Sequence, residues 1–213
     1  MKYLTKLIII LPLASGLWFL MTIILAGINQ PGYQHMSQFI SELGAIDAAN
    51  GKVVNFGGFI PASVLLVLFV GIAICYCSRR RKQLIGLVAI AVYAITLGIA
   101  AFYPCDAGCR PENPSSSQLI HNFSALLGYV SAVASVFILA TYLKQTGSRL
   151  LANMGYAIGG LAFVMLIMLN PEFAFVGIAQ RVFELSIYTW IILYSFHLSA
   201  QIRCKHSAQV LPG

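Results

Sequence analysis

Charge is scarce in this 213-residue chain: Asp, Glu, Lys and Arg make up only 9% of it, against 59% hydrophobic residues. Soluble domains carry about 25% charged residues, so a water-solvated globule is excluded and lipid is left as the main solvent. Acids are the scarcest, 6 against 13 Lys and Arg. The resulting net charge of +7 would suit nucleic acid, but the basic residues sit beside apolar runs, as membrane insertion requires. No nucleic-acid partner is therefore expected, and membrane lipids, through their anionic headgroups, are. The cysteines number 5 and none are spaced as CxxC, which speaks against a thiol oxidoreductase. No HExxH run, strong internal repeat or low-complexity segment occurs.

What is abundant is apolar runs of bilayer length. A helix needs about 20 apolar residues to cross the hydrocarbon core, and six segments qualify: Leu7–Gly27, Val53–Tyr76, Leu84–Tyr103, Leu119–Leu143, Leu150–Leu169 and Ile178–Ile202. Backbone groups cannot go unsatisfied in hydrocarbon, so each is expected to be helical. Lys2 and Lys6 before the first run resemble a signal peptide. The run of roughly 20 residues exceeds the 7–15 of a signal core, and it reads as a retained span.

The charges are sorted by side. Lys2, Lys6, Arg79, Arg80, Arg81, Lys82, Lys144, Arg149, Arg203 and Lys205 fall on one face of the six-span plot. Glu42, Asp47, Asp106, Glu112, Glu172 and Glu184 fall on the other, accompanied by Lys52, Arg110 and Arg181. Lys and Arg are held in the cytoplasm during insertion, so the expected location is a prokaryotic inner membrane with both termini cytoplasmic. The cytoplasmic connections Ser78–Gln83 and Lys144–Arg149 are short, which makes spans 2–3 and 4–5 antiparallel hairpins and leaves no room for a cytoplasmic domain.

The outer connections are longer. After a Pro31-Gly32 turn, Met36, Phe39, Ile40 and Leu43 recur at helical spacing, which predicts an amphipathic helix of two to three turns ending near Gly44. Asn113-Pro114 forces a turn, and Ser115 with Gln118 fits a capping box before the fourth span. Cys105 and Cys109 face an oxidising side, where they either close a short disulfide loop or remain two thiols. Small residues at Gly155 and Gly159, and at Ser124, Gly128 and Ala132, mark helix contacts.

Polar residues gather in the outer half. Ionisable groups near membrane depth are costly and are either functional or paired. Three chemistries compete for them. His35, Glu42, Asp106 and His121 would make a hydrolytic site holding a divalent metal such as zinc. Alternatively, His121 or His35 would act as general base, helped by Asp106, with Ser41 or Ser124 as nucleophile. In the third reading the group, with Asn55, Arg181 and Glu184, lines a cup that binds a ligand without chemistry. The structural alternative is that each side chain ties loops to the bundle, with Arg181 and Glu184 satisfying each other at i, i+3. His197 reads as a packed or snorkelling residue, and no charged residue is expected deep in a span.

His35-Met36-Ser37-Gln38-Phe39-Ile40-Ser41-Glu42-Leu43-Gly44 resembles the Ser-x-Leu-Gly signature that follows the first span in a family of six-span prokaryotic membrane proteins, domain of unknown function 998. Asn55-Phe56-Gly57-Gly58 does likewise. Phe102-Tyr103-Pro104-Cys105-Asp106 and the later His121 resemble that family's Phe-Pro-x-Asp and downstream His, with Tyr103 intervening. A fainter likeness is to Frag1/DRAM-type six-span proteins, relatives of which are linked to lipid-anchor processing and trafficking. Neither resemblance implies a catalytic residue; the second favours lipid handling.

The expectation is thus a single-domain, all-α integral membrane bundle of six transmembrane helices with a short amphipathic helix in the first outer loop. Its leading function is recognition or handling of a lipid or polar ligand in an outward cup lined by Glu42, Asp106 and His121. An intramembrane hydrolase acting on a lipid at the outer leaflet is the alternative, and a structural or partner-binding subunit, including a homo-oligomer, the third.

Overall fold

A computed structural model describes residues 2–78 and 80–210, the side chains of Lys2 and of 205–210 excepted. Arg79, one of the basic residues expected on the cytoplasmic side, lies outside the described residues, as do the side chains of Lys2 and Lys205. The six apolar runs form α1 (Lys2–Asn29), α2 (Gly51–Tyr76), α3 (Arg81–Phe102), α4 (Ser116–Gln145), α5 (Arg149–Ile167) and α6 (Val176–Val210). All six are long and apolar enough to cross a membrane. The chain is a multi-pass membrane protein.

Each helix packs against its neighbours in sequence, and α6 returns to α1, which closes the bundle into a ring. Because lipid is as apolar as the helices, packing rather than hydrophobicity holds such a ring together, and small residues set how close the backbones come. A Cβ on Gly155 of α5 would stand 2.5 Å from the Trp190 ring of α6, and one on Gly128 of α4 would stand 2.3 Å from Thr96 Oγ1 of α3. Both expected small-residue stripes therefore lie at helix contacts.

α2 is not uniform. Residues Val54–Phe59 form a π-helical stretch ahead of Pro61. Proline has no N–H to offer Gly57 four residues back, and the freed Gly57 carbonyl accepts from Trp18 Nε1 of α1 at 2.9 Å. Such widened turns recur at functional sites. Here the widened turn carries Asn55, whose Nδ2 donates to the Gly44 carbonyl at 2.8 Å and so fastens the first loop, between α1 and α2, to α2.

Candidate functional site

The loops before α2 and before α4 interlock with the start of α6 into a cap. In the first loop, Gly32 takes φ +74°, a left-handed turn that glycine tolerates freely. The amphipathic helix expected at 36–43 does not form as such. The backbone turns at Gln34–Gln38 and then winds a five-residue 3₁₀ helix, Ile40–Gly44. Side chains outcompete the α-helical ladder here. Gln38 Oε1 accepts from Gln34 N at 2.6 Å, and Glu42 accepts from Phe39 N at 2.9 Å and from Gln38 Nε2 at 2.6 Å. Ile40 and Leu43 are buried as the pattern required, whereas Met36 is exposed.

The second loop is a tight ring closed by the Cys105–Cys109 disulfide, with Cα atoms 5.0 Å apart. Gly108 (φ +63°) makes the reversal within it. Ile46 N donates to the Cys105 carbonyl at 3.1 Å, and Arg110 donates to the Ser37 carbonyl at 3.3 Å while reaching to 3.9 Å of Glu42. Loops one and two thus hold each other. The third contributor is the start of α6, where Ile178 N donates to the Met36 carbonyl at 3.1 Å.

Two of the residues expected to line a cup are consumed by this cap. The Asp106 carboxylate accepts from Ser115 N at 2.8 Å and from Ser115 Oγ at 2.6 Å, and these bonds hold it below the usual carboxylate range. It anchors the start of α4. Only half of the expected capping box is present: Gln118 N donates to Ser115 Oγ at 3.1 Å, but the Gln118 side chain accepts from Asp106 N at 2.8 Å rather than from Ser115. Glu42, as above, folds its own loop.

His35 sits over Gly27 of α1, and its Nδ1 faces Arg181 Nη2 at 2.9 Å. Arginine has no acceptor, so His35 must accept at Nδ1 and carry its proton on Nε2. Burial first, and the Arg181 charge second, push its pKa down. The neighbouring Tyr33 hydroxyl accepts from Arg181 at 2.6 Å, and burial, outweighing that charge, pushes its pKa up. His121 is the converse of His35. Its Nδ1 lies 2.9 Å and 3.0 Å from the carbonyls of Ala100 and Tyr103; carbonyls only accept, so Nδ1 is the donor and Nε2 is left as a bare acceptor. Among the described residues no three of His, Cys, Asp and Glu gather as a metal would require, so the four candidate ligands do not share a site.

The expected Arg181–Glu184 pairing is absent. Arg181 leans outward, donating also to the carbonyls of Gln38 at 3.2 Å and Gly177 at 2.9 Å. Glu184 turns inward. It is 4% exposed, about 12 Å below the start of α6 at 1.5 Å per residue, and so a charged residue type does lie deep in a span. Tyr93 Oη donates to Glu184 Oε2, and Tyr129 bonds the same carboxyl. A chain of bonds links it to the cap: Ile40 N donates to Gln180 Oε1 at 2.6 Å, and Gln180 Nε2 donates to Tyr129 Oη at 2.7 Å.

Two cavities meet at Glu184. A chamber of about 360 Å³ lies beneath the cap, between α3, α4 and α6, and takes in Ser41, Asn55, His121, Tyr129 and Glu184. A groove of about 530 Å³ runs along the seam of α1 and α6, lined by Leu17, Leu20, Ile24, Leu185 and Ile192, with His35 and Arg181 at its head. Phe19, Ile40 and Glu184 belong to both walls. Ser124 is buried and lines neither. The sequence reading missed Tyr93, Tyr129 and Gln180. Only Gln180 carried a signal, a stripe at i, i+4, i+8 in the last span, Gln180, Glu184 and Tyr188, which marks one polar face in an apolar helix. At the end of the bundle away from the cap, His197 packs against Tyr194, and its Nε2 is buried with no partner among the described residues.

The family described as "Protein of unknown function (DUF998)" matches residues 13–197 of this chain. No curated protein and no solved structure matches it, so the Frag1/DRAM-type likeness gains no support.

Proposed function

We propose that this chain, which belongs to the DUF998 family, binds a lipid of the outer leaflet, taking the head into the chamber and an acyl chain into the α1–α6 groove. The observation that carries this reading is the shared wall. One cavity is partly polar, the other is apolar and flanked by residues such as Leu185, 66% exposed on the bundle surface, and they adjoin at Phe19, Ile40 and Glu184. An amphiphile needs that pairing, whereas a wholly water-soluble ligand has no use for the groove. A carboxyl buried within a span is the costly kind of group that functional sites retain.

The sorted charges support an orientation with the cap outside and both termini in the cytoplasm of a prokaryotic cell. The hydrolase alternative has no comparable support. The bonded nitrogen of His121 is taken by two carbonyls, and no serine hydroxyl among the described residues bonds its ring. The test is lipid retention by the full chain purified in mild detergent. Leu185→Trp, which fills the groove, lowers the lipid bound per protein; lipid content equal to that of the unaltered chain would refute the reading.

A further inference from the structure

Arg181 and Glu184 make opposite electrostatic demands at the junction of the two cavities. The Nη hydrogens of Arg181 go to the Gln38 and Gly177 carbonyls, the Tyr33 hydroxyl and His35 Nδ1, all neutral acceptors. Among the described residues no carboxylate lies within salt-bridge distance of it, and no acceptor meets its Nε. Four of its five N–H groups are thus spent on neutral acceptors, which leaves the guanidinium at the head of the groove with its charge uncompensated and one donor, Nε–H, for an anion such as phosphate. Glu184, three residues on and within about 5–6 Å at Cβ, is served only by the hydroxyls of Tyr93 and Tyr129. No Lys or Arg among the described residues lies within salt-bridge distance of it. A buried carboxylate without a cation is a poor arrangement in the absence of a ligand.

The chamber around Glu184 presents acceptors beside the Ser41 hydroxyl and the Asn122 amide. Asn55 turns its amide to the Gly44 carbonyl and Thr96 its hydroxyl to the Val92 carbonyl, while His121 offers a bare Nε2. An ammonium group has N–H donors and no acceptor, which suits the Glu184 carboxyl and His121 Nε2.

Resting on the lipid reading above, we infer that the bound lipid is a glycerophospholipid with an ammonium-bearing head. Its phosphate sits beside Arg181, its ammonium enters the chamber toward Glu184, and one acyl chain lies between α1 and α6. A glycerol head brings hydroxyls but no positive charge, and leaves Glu184 uncompensated.

The test is native mass spectrometry of the full chain, stripped of lipid and offered equimolar phosphatidylethanolamine and phosphatidylglycerol with identical acyl chains. The ethanolamine lipid is expected to bind at least tenfold more than the glycerol lipid. Glu184→Gln brings that ratio near one, and Leu185→Trp lowers binding of both. Equal binding of the two lipids, still lowered by Leu185→Trp, overturns the head-group inference and leaves the lipid reading standing. Binding of neither, or binding indifferent to Leu185→Trp, overturns both. Should Glu184→Gln fail to fold, as judged by circular dichroism and gel filtration, the ranking by the unaltered chain decides: no preference, or preference for glycerol, refutes the inference.

Discussion

Replacing Gln180 by Leu cuts the bond chain between the cap and the buried carboxyl at its middle. Gln180 is 7% exposed and Ile40 is 2% exposed, so bulk solvent hardly reaches the 2.6 Å bond from Ile40 N to Gln180 Oε1. An abandoned buried N–H costs about 1–3 kcal/mol. About 2 kcal/mol taken from the closed state of the first loop raises its local opening roughly 30-fold. Hydrogen exchange read by mass spectrometry on the full chain in detergent measures this at residues 39–44, where the Ile40 amide should exchange faster by that factor while the α4–α5 hairpin is unchanged. Tyr129→Phe is the control. It removes the acceptor of Gln180 Nε2 but leaves the Ile40 bond in place, so the same amide should move much less. Equal protection of Ile40 in Gln180→Leu and the unaltered chain would refute the claim that α6 holds the cap through this side chain.

Acid should reveal His35. Its folded pKa lies below the usual 6.5, so stability is flat above that value. Stability declines as pH falls through it, because the unfolded chain takes up a proton that the fold resists. Subtracting the melting profile of His35→Gln between pH 5 and 8 should isolate this decline, and parallel profiles would contradict it. Asp106 acts at lower pH: held below 3.8 by Ser115, its contribution is present above that value and is lost as pH falls through the folded pKa. Asp106→Asn should speed hydrogen exchange at the start of α4 at neutral pH, and unchanged exchange there would argue against the anchor. Gly155→Leu drives a Cβ to 2.5 Å of the Trp190 ring and should cost about 3 kcal/mol. Gly160→Leu meets nothing within 4 Å and should stay within about 0.5 kcal/mol in thermal denaturation; similar melting shifts for the two would contradict the packing described.

The spans were legible because hydropathy over some 20 residues is a summed signal that no single neighbour overrides. The small-residue stripes were legible for a similar reason, since nothing else explains Gly155 and Gly159 on one face. Individual acids were harder to read. Sequence groups Glu42 and Asp106 at one end of the spans but says nothing of where they point, and both found backbone N–H groups within a few residues or across one short loop. The i, i+3 spacing of Arg181 and Glu184 suits a pair on an isolated helix. In the bundle, Arg181 is captured by the Gln38 carbonyl and the Tyr33 hydroxyl of the first loop, and Glu184 by tyrosines from α3 and α4. Those tyrosines were hidden because, in an apolar run, Tyr93 and Tyr129 count as hydrophobic; only packing reveals that their hydroxyls meet.

The central claim is that chamber and groove form one continuous seat for a lipid. Electron cryomicroscopy of the full chain in nanodiscs of mixed phosphatidylethanolamine and phosphatidylglycerol tests it directly. A single lipid should be seen with a chain along the α1–α6 seam and its head passing Ile40 to reach Glu184. A seam closed by direct contact of α1 and α6, or ordered lipid elsewhere on the bundle with the chamber holding none, would contradict it.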